Sequence, residues 1–359
     1  METTVGPQLR ATTISRSQAD AADTAQWRQA WCRLYDTPTS DVPLGRIMHW
    51  RAVVAALGVG TALDSDRTLV TRGFFYQPHT TPPELAELRA DRCAAARLGA
   101  RWLLYPVVRT SEARELAEHG GTLLPWFLEA EYVPTDEVDR DLRNLLGGAR
   151  FRELRRLVRR ADEHYTWEAC TGSDIDDEVL NSFDRLHHMN LAKYGHRHNH
   201  FAMPILHDLT ASALRDRLCV FRHRGSGGET VHAVLALRGR ESDTLDVLVH
   251  GIDHVRVPPA QNLYATGLYR IYRWGVAHGI RRFALGRGAE RVKLDLGANR
   301  FHVVANALIR VDGGEPVTTG LSPLREAARA AIEQPLRELT SIVARRDLTG
   351  SVLVPGGVA

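Results

Sequence analysis

A chain of 359 residues with 44% hydrophobic and 25% charged side chains can bury one large core or two ordinary ones, which excludes disorder or collagen-like repetition over most of its length. No apolar run approaches the roughly 18 residues of a membrane helix, the N-terminus lacks the basic-then-apolar order of a secretory signal, and Cys32, Cys93, Cys170 and Cys219 show no CxxC or metal-like spacing; a soluble cytoplasmic protein with reduced, mostly buried thiols is expected. Net charge is only +3, but of 46 basic residues 44 are arginine and two, Lys193 and Lys293, are lysine.

Residues 1–24 are rich in Thr, Ser, Ala and Gln with little apolar periodicity and read as a tail. Helical spacing begins at Trp27, Trp31 and Leu34, breaks between Pro38 and Gly45, and resumes over Trp50 to Leu57. Strands are expected at Thr68–Tyr76 and Arg101–Val108, separated by a helix at Pro83–Leu98 and followed by another at Ser111–Glu118 that stops at Gly120 and Gly121. Arg150, Arg152, Arg155, Arg156, Arg159 and Arg160 share an amphipathic helix with Phe151, Leu154, Leu157, Val158 and Ala161. That helix is either a solvated connector or a phosphate-contacting surface, because an arginine row neutralises a nucleic-acid backbone without reading its sequence.

After Trp167 a second α/β unit is expected. A helix over Asp174–Leu191 leads through a histidine-rich loop to a helix at Pro204–Ala213, then to strands at Leu218–His223, Thr230–Arg238 and Thr244–Ile252 joined by glycine- and serine-containing turns. Gln261–His278 reads as an amphipathic helix closed by Gly279, Arg282–Leu285 and Phe301–Arg310 as strands, and Ser322–Arg345 as a terminal helix or pair interrupted at Pro335. The expected division is a tail at 1–24, a first domain at 25–165, a second at 166–320 and a helical C-terminal segment at 321–359.

Three antiparallel strands, a helix, a short strand, a glycine-containing loop and a final strand are the order of a GNAT acyltransferase module. The segment Ala284–Gly297, ALGRGAERVKLDLG, resembles the strand and loop of FemAB-type proteins, in which a GRG-like turn precedes a lysine and a glycine; Leu145–Asp162, LLGGARFRELRRLVRRAD, resembles the Arg-rich helix joining their halves. The likeness spans roughly residues 25–315. It implies an α/β (α+β) fold of two tandem GNAT-like modules, each a mixed, mostly antiparallel sheet flanked by helices, the first degenerate and the second catalytic. It also implies an aminoacyltransferase moving an amino acid from aminoacyl-tRNA to an amine or hydroxyl of a small acceptor, such as a natural-product intermediate, or of a cell-wall precursor. The alternatives are an acyl-CoA-dependent N-acyltransferase using acetyl-CoA, and a non-catalytic tRNA- or protein-binding module that kept the fold.

A CoA-dependent GNAT cradles pyrophosphate on successive backbone amides at a helix start. Here that position reads Val255-Arg256-Val257-Pro258-Pro259-Ala260-Gln261-Asn262, with two prolines and no glycine, which argues against such a cradle. Aminoacyl esters are already reactive, so holding the carbonyl beside an unprotonated nucleophile and stabilising the oxyanion is sufficient, with no separate cofactor. In a sequence dominated by arginine, a lysine marks a place that suits a compact ammonium. Lys293 resembles by position the lysine that FemX-type transferases place near the reacting carbonyl, and is expected as the electrostatic stabiliser. Asp253, past the end of a strand, is expected either to orient or deprotonate the acceptor or to cap a turn. Glu290 and Arg287 flank Lys293; Arg287, with Arg256 and the helix residues Arg155, Arg156 and Arg159, is the expected tRNA or phosphate contact. Tyr264 and Tyr269 are expected either to meet the acyl group or terminal adenine or to pack. Lys193, Tyr194 and His196 head the expected acceptor-binding loop; its HxHxH pattern is alternatively a solvated loop, and the absence of a completing carboxylate or cysteine leaves metal binding outside the expected functions.

Overall fold

The computed structural model describes residues 42–43, 68–70, 82–97, 99–135, 137–195, 199, 201–239, 243–313, 318–348, 352 and 354. The expected tail, the Trp27 and Trp50 segments, Cys32 and His196 lie outside the described residues. One ten-stranded sheet runs through both halves of the chain. In chain order its strands are β1 (Val42–Pro43), β2 (Thr68–Val70), β3 (Trp102–Arg109), β4 (Thr122–Tyr132), β5 (Thr166–Thr171), β6 (Leu218–Arg224), β7 (Thr230–Arg238), β8 (Thr244–Ile252), β9 (Arg282–Arg287) and β10 (Arg300–Arg310), in spatial order β1-β2-β3-β10-β4-β9-β8-β7-β6-β5. The helices are α1 (Leu85–Arg97), α2 (Arg114–Glu118), α3 (Val138–His164), α4 (Asp177–Lys193), α5 (Met203–Thr210), α6 (Leu263–Ala277), α7 (Glu290–Leu294) and α8 (Thr318–Arg345).

Strands β6 to β8 form an antiparallel meander because glycine-rich or short polar turns join runs of buried Val, Leu, Ala and Phe, and β5 pairs antiparallel with β6 after the long excursion through α4 and α5. The long crossover through α6 then makes β9 parallel to β8. Close helix-to-sheet contact depends on missing side chains: a Cβ on Gly275 of α6 would lie 2.5 Å from the Phe283 ring, and one on Gly251 of β8 would lie 2.6 Å from the Leu186 backbone of α4. The largest apolar cluster fills the layer beneath α3, α6 and α8, while a second lies between α4, α5 and the opposite face of β6 and β7. Among the described residues no helix is long and apolar enough to cross a membrane. Cys93, Cys170 and Cys219 are unpaired; the last two are buried and Cys93 is exposed.

Three features differ from the sequence expectation. Strand β10, placed in the second unit by chain order, lies between β3 and β4 of the first, so a boundary at residue 165 crosses a continuous sheet. Strands β4 and β5 and helix α7 add to the expected elements; β4 was obscured because Pro125 and two buried glutamates interrupt its apolar alternation. Helix α8 continues through Pro335, whereas the break inside α3 falls at Gly147, whose φ of 78° is non-helical.

The seam between the two halves is charged. Buried Arg109 donates through Nε to Glu129 (2.7 Å) and through Nη2 to Glu131 (3.3 Å), and Arg282 of β9 donates to the same Glu131 (2.8 Å). Burial pushes the Glu131 carboxyl up, but the His302 hydrogen bond and the charges of Arg109 and Arg282 prevail and hold it well below the usual range.

Candidate functional site: the notch between β8 and β9

Strands β8 and β9 pair only from Thr244 to Asp246 against Arg282 to Ala284, after which they diverge and open a notch at their C-terminal ends. The sequence at this end of β9 forces a tight reversal: Gly286 and Gly288 have φ of 69° and 74°, and Ala289 has φ of 54°, returning the chain into the single turn of α7. Lys293 on that turn points back into the notch. It is 3% exposed, and its Nζ donates to the Gly286 carbonyl (2.9 Å) and the Arg287 carbonyl (2.8 Å). Burial, only partly opposed by Glu290 and Glu129, lowers its pKa to about 8. Two of three ammonium hydrogens are therefore fixed, and the third is available to a developing negative charge.

His250 of β8 is half-buried on the same side: burial, then His232 and the Lys293 charge, drive its pKa well below the ordinary value. Its place follows from a bulge. Leu235 pairs with Val249 but Ala236 pairs with Val247, so Leu248 is an extra residue and His250, rather than Val249, faces α6. Tyr264 covers it, ring centroids 4.5 Å apart. Burial, together with Tyr194, raises the Tyr264 phenol to about 12. Tyr194 is 62% exposed, and the Lys193 ammonium lies 5.5 Å from the centre of its ring and 3.3 Å from His254 Nε2. At the outer edge, the Arg287 guanidinium lies over Trp126 (5.3 Å) and Phe127 (5.7 Å) of β4.

The sequence matches no family model and no curated protein. Solved structures do resemble it. They include the C-terminal DUF2156 domain of a putative lysylphosphatidylglycerol synthetase from Agrobacterium fabrum (TM-score 0.52, 12% identity, covering 74% of this chain and 84% of that one). L-PGS from Bacillus licheniformis is similar (TM-score 0.51, 11% identity, 73% of this chain and 82% of that one), and FemX less so (TM-score 0.48, 11% identity, 63% and 76%). The chain shares the fold of the two synthetase domains. At these identities the likeness describes the fold alone.

In the GNAT module that the sequence resembles, the turn between β8 and α6 is where a pyrophosphate cradle is expected, and here its amides are already engaged. Val255 N and Arg256 N donate to Asp253 Oδ1 (3.2 and 3.1 Å), and Val257 N donates to the Asp253 carbonyl (2.9 Å). Pro258 and Pro259 have no N–H, while Gln261 N and Asn262 N close a 3₁₀ turn onto their carbonyls. Asn262, at φ 42°, caps α6 by accepting from Ala265 N (3.3 Å). Ala260 alone in 255–262 keeps an amide without an intramolecular acceptor among the described residues.

Asp253 is thus a turn carboxylate, the capping alternative of the sequence reading: it is 3% exposed, its Oδ1 accepts from two amides of its own turn, and its Oδ2 accepts from Arg185 Nη1 of α4 (3.4 Å). Arg256 lies on the same turn, 3.8 Å from Asp253 and 4.0 Å from Glu229. Glu290 accepts from Gly288 N (3.1 Å) and closes the turn before α7. Tyr269 takes the packing alternative: it is buried between α3 and α6, donating to Asp139 (2.8 Å) and accepting from Arg155.

That interface carries a second feature, a groove of about 410 Å³ between α3 and α6, lined by Arg155, Arg159, Arg270, Arg273, Trp167 and Trp274. Arg155 and Arg273 lie over the Tyr269 ring, and Arg270 lies over Trp167. Arg159 is exposed, whereas Arg156 is paired with Glu153 (2.5 Å) and directed away from the groove residues. The expected sites therefore separate: Lys293, Lys193, Tyr194, Tyr264, Arg287 and Glu290 surround the notch, Arg155 and Arg159 line the groove, and Arg256 sits on the β8–α6 turn. Sequence reading missed His250, His232 and His223, although each of the three meander strands carries a histidine toward one end; it also missed Trp167, Arg270 and Arg273 as groove residues. Among the described residues no group of three His, Cys, Asp or Glu side chains has an arrangement that holds a metal.

Proposed function

We propose that the protein is an aminoacyltransferase that takes an amino acid from aminoacyl-tRNA and places it on an amine or hydroxyl of a small acceptor or cell-wall precursor. The carrying observation is the β8–α6 turn: its prolines and its Asp253-bound amides leave no run of donors for a coenzyme pyrophosphate, so an activated acyl group held by another handle is favoured. The α3–α6 groove supplies one, since arginines interleaved with aromatic faces attract phosphates and stack on bases. The similarity to a protein named lysylphosphatidylglycerol synthetase supports the same class.

In this reading the ester carbonyl lies in the notch with its oxygen toward Lys293. Attack by the acceptor forms a tetrahedral oxyanion, which the ammonium stabilises from a water-poor position; removing such a donor typically costs about 10²–10³ in rate. Tyr264 and Tyr194 wall the acyl group, and Lys193 stands at the entrance.

The test uses bulk tRNA charged with a mixture of radiolabelled amino acids, or labelled acetyl-CoA, with cell extract as acceptor source. RNase-sensitive label transfer that falls in Lys293→Ala is expected. Turnover with acetyl-CoA alone, or coenzyme density over residues 256–262, would refute the assignment.

A further inference from the structure

Behind the notch, His223 of β6, His232 of β7 and His250 of β8 form a row beneath the first turns of α6. His223 Nδ1 lies 3.1 Å from His232 Nδ1, and His232 Nε2 lies 3.5 Å from His250 Nδ1. The rings stack with centroids 5.2 and 5.8 Å apart. Packing fixes the row from above: a Cβ on Gly267 would lie 2.6 Å from His232 Cε1. His223 and His232 are each 1% exposed, whereas half-buried His250 opens to the notch, and its Nε2 has no intramolecular partner among the described residues. At the other end His223 Nε2 is buried without a hydrogen-bond partner.

A neutral imidazole has one donor and one acceptor, so the row is locked into one of two directions, with His250 Nε2 either bare or protonated toward the notch. If His250 carries its proton on Nδ1, it donates to His232 Nε2, His232 donates from Nδ1 to His223 Nδ1, and His250 Nε2 is bare toward the notch. Because His223 Nε2 meets no acceptor, the row has no exit. A proton accepted at His250 must leave by the same nitrogen.

We propose that His250 is the proton carrier of the transfer reaction, a base and then an acid through Nε2, with His232 and His223 as positioning residues that keep this nitrogen bare. The proposal rests on the aminoacyl-ester reading above. The acceptor nitrogen attacks the ester carbonyl carbon, a C–N bond forms, and the carbonyl π pair moves onto oxygen facing Lys293 while the nitrogen's proton passes to His250 Nε2. Collapse of the oxyanion breaks the C–O bond to ribose, and the same proton goes from His250 to the departing ribose oxygen. Atoms and charge balance without a further reactant; a hydroxyl acceptor follows the same course. Burial keeps the three imidazoles neutral, His232 at about 3 and its neighbours well below their ordinary value, and the groups facing them are Lys293 and Tyr264 at His250 and Arg270 and Tyr165 at His223.

The experiment uses the full chain labelled with ¹⁵N-histidine, with His250→Gln to assign the ring signals and His232→Leu to remove the neighbour. Long-range ¹H–¹⁵N spectra at pH 7 are expected to show His250 bare at Nε2 and protonated at Nδ1, and a mixture of tautomers in His232→Leu; a protonated Nε2 in the wild type overturns the proposal whatever the activity. With the charged tRNA pool, His250→Gln is expected to lose about 10²–10⁴-fold in rate. Wild-type rate in His250→Gln would overturn the proton carrier while leaving the transferase reading in place; no RNase-sensitive transfer by the wild type would overturn both.

Discussion

Lys293 is the one described lysine taken out of water, and its energetics give a measurable signature. Lowering its pKa from the ordinary 10.5 to about 8 means that charging it in the folded protein costs about 3 kcal/mol more than in the unfolded chain. Below pH 8 both states carry the proton and this cost is present in full. Between pH 8 and 10.5 the folded protein releases its proton first, the unfolded chain binds more protons, and stability rises with pH. Replacing the residue by methionine removes the titration while conserving most of the volume. At pH 7 the variant loses the hydrogen bonds to Gly286 and Arg287, about 1–3 kcal/mol for each carbonyl left without a donor, but is relieved of a charging cost of similar size. Lys293→Met should therefore unfold in urea within about 2 kcal/mol of the wild type at pH 7. The gap in favour of the wild type should widen by about 3 kcal/mol by pH 10.5, other titrating groups cancelling in the difference. A gap unchanged across that range would show that the ammonium is not buried as described.

Gly267→Ala drives a methyl group into buried His232; despite alanine's better helix propensity, the variant should lose about 1–3 kcal/mol in urea unfolding, and equal or greater stability would refute the close contact. Arg109→Met removes the buried guanidinium shared by Glu129 and Glu131 and should cost about 3–5 kcal/mol, partly restored by adding Glu129→Gln; a neutral single variant would dissolve the proposed seam. Replacing Arg159 and Arg273 together by alanine should weaken binding of bulk tRNA and flatten the log–log salt dependence by about 1 to 2, measured by filter binding, and an unchanged slope would place the nucleic acid elsewhere. Transfer activity should fall as pH rises through about 8, where Lys293 loses its charge, and Lys293→Arg, which keeps a charge, should abolish that fall in whatever activity it retains.

Much of this arrangement is local and was readable along the chain. The meander β6–β8, the amphipathic helix bearing Arg155 and Arg159, and the glycine turn presenting Lys293 each follow from periodicity and turn chemistry within about 20 residues. The two prolines after Val257 announced the missing amide cradle for the same reason: proline lacks a donor in any context. Tertiary packing decided the rest. Strand β10 joins β3 and β4 although it follows the second unit, and the buried charges of β4 make sense only beside Arg109 and Arg282. A single extra residue at Leu248 turns His250 toward α6, and the neighbouring strands bring His232 and His223 into line with it. Sequence periodicity reports which face of an element is apolar; it does not report which element meets that face, where a bulge reverses it, or which carboxylate, as with Asp253, is consumed by its own turn.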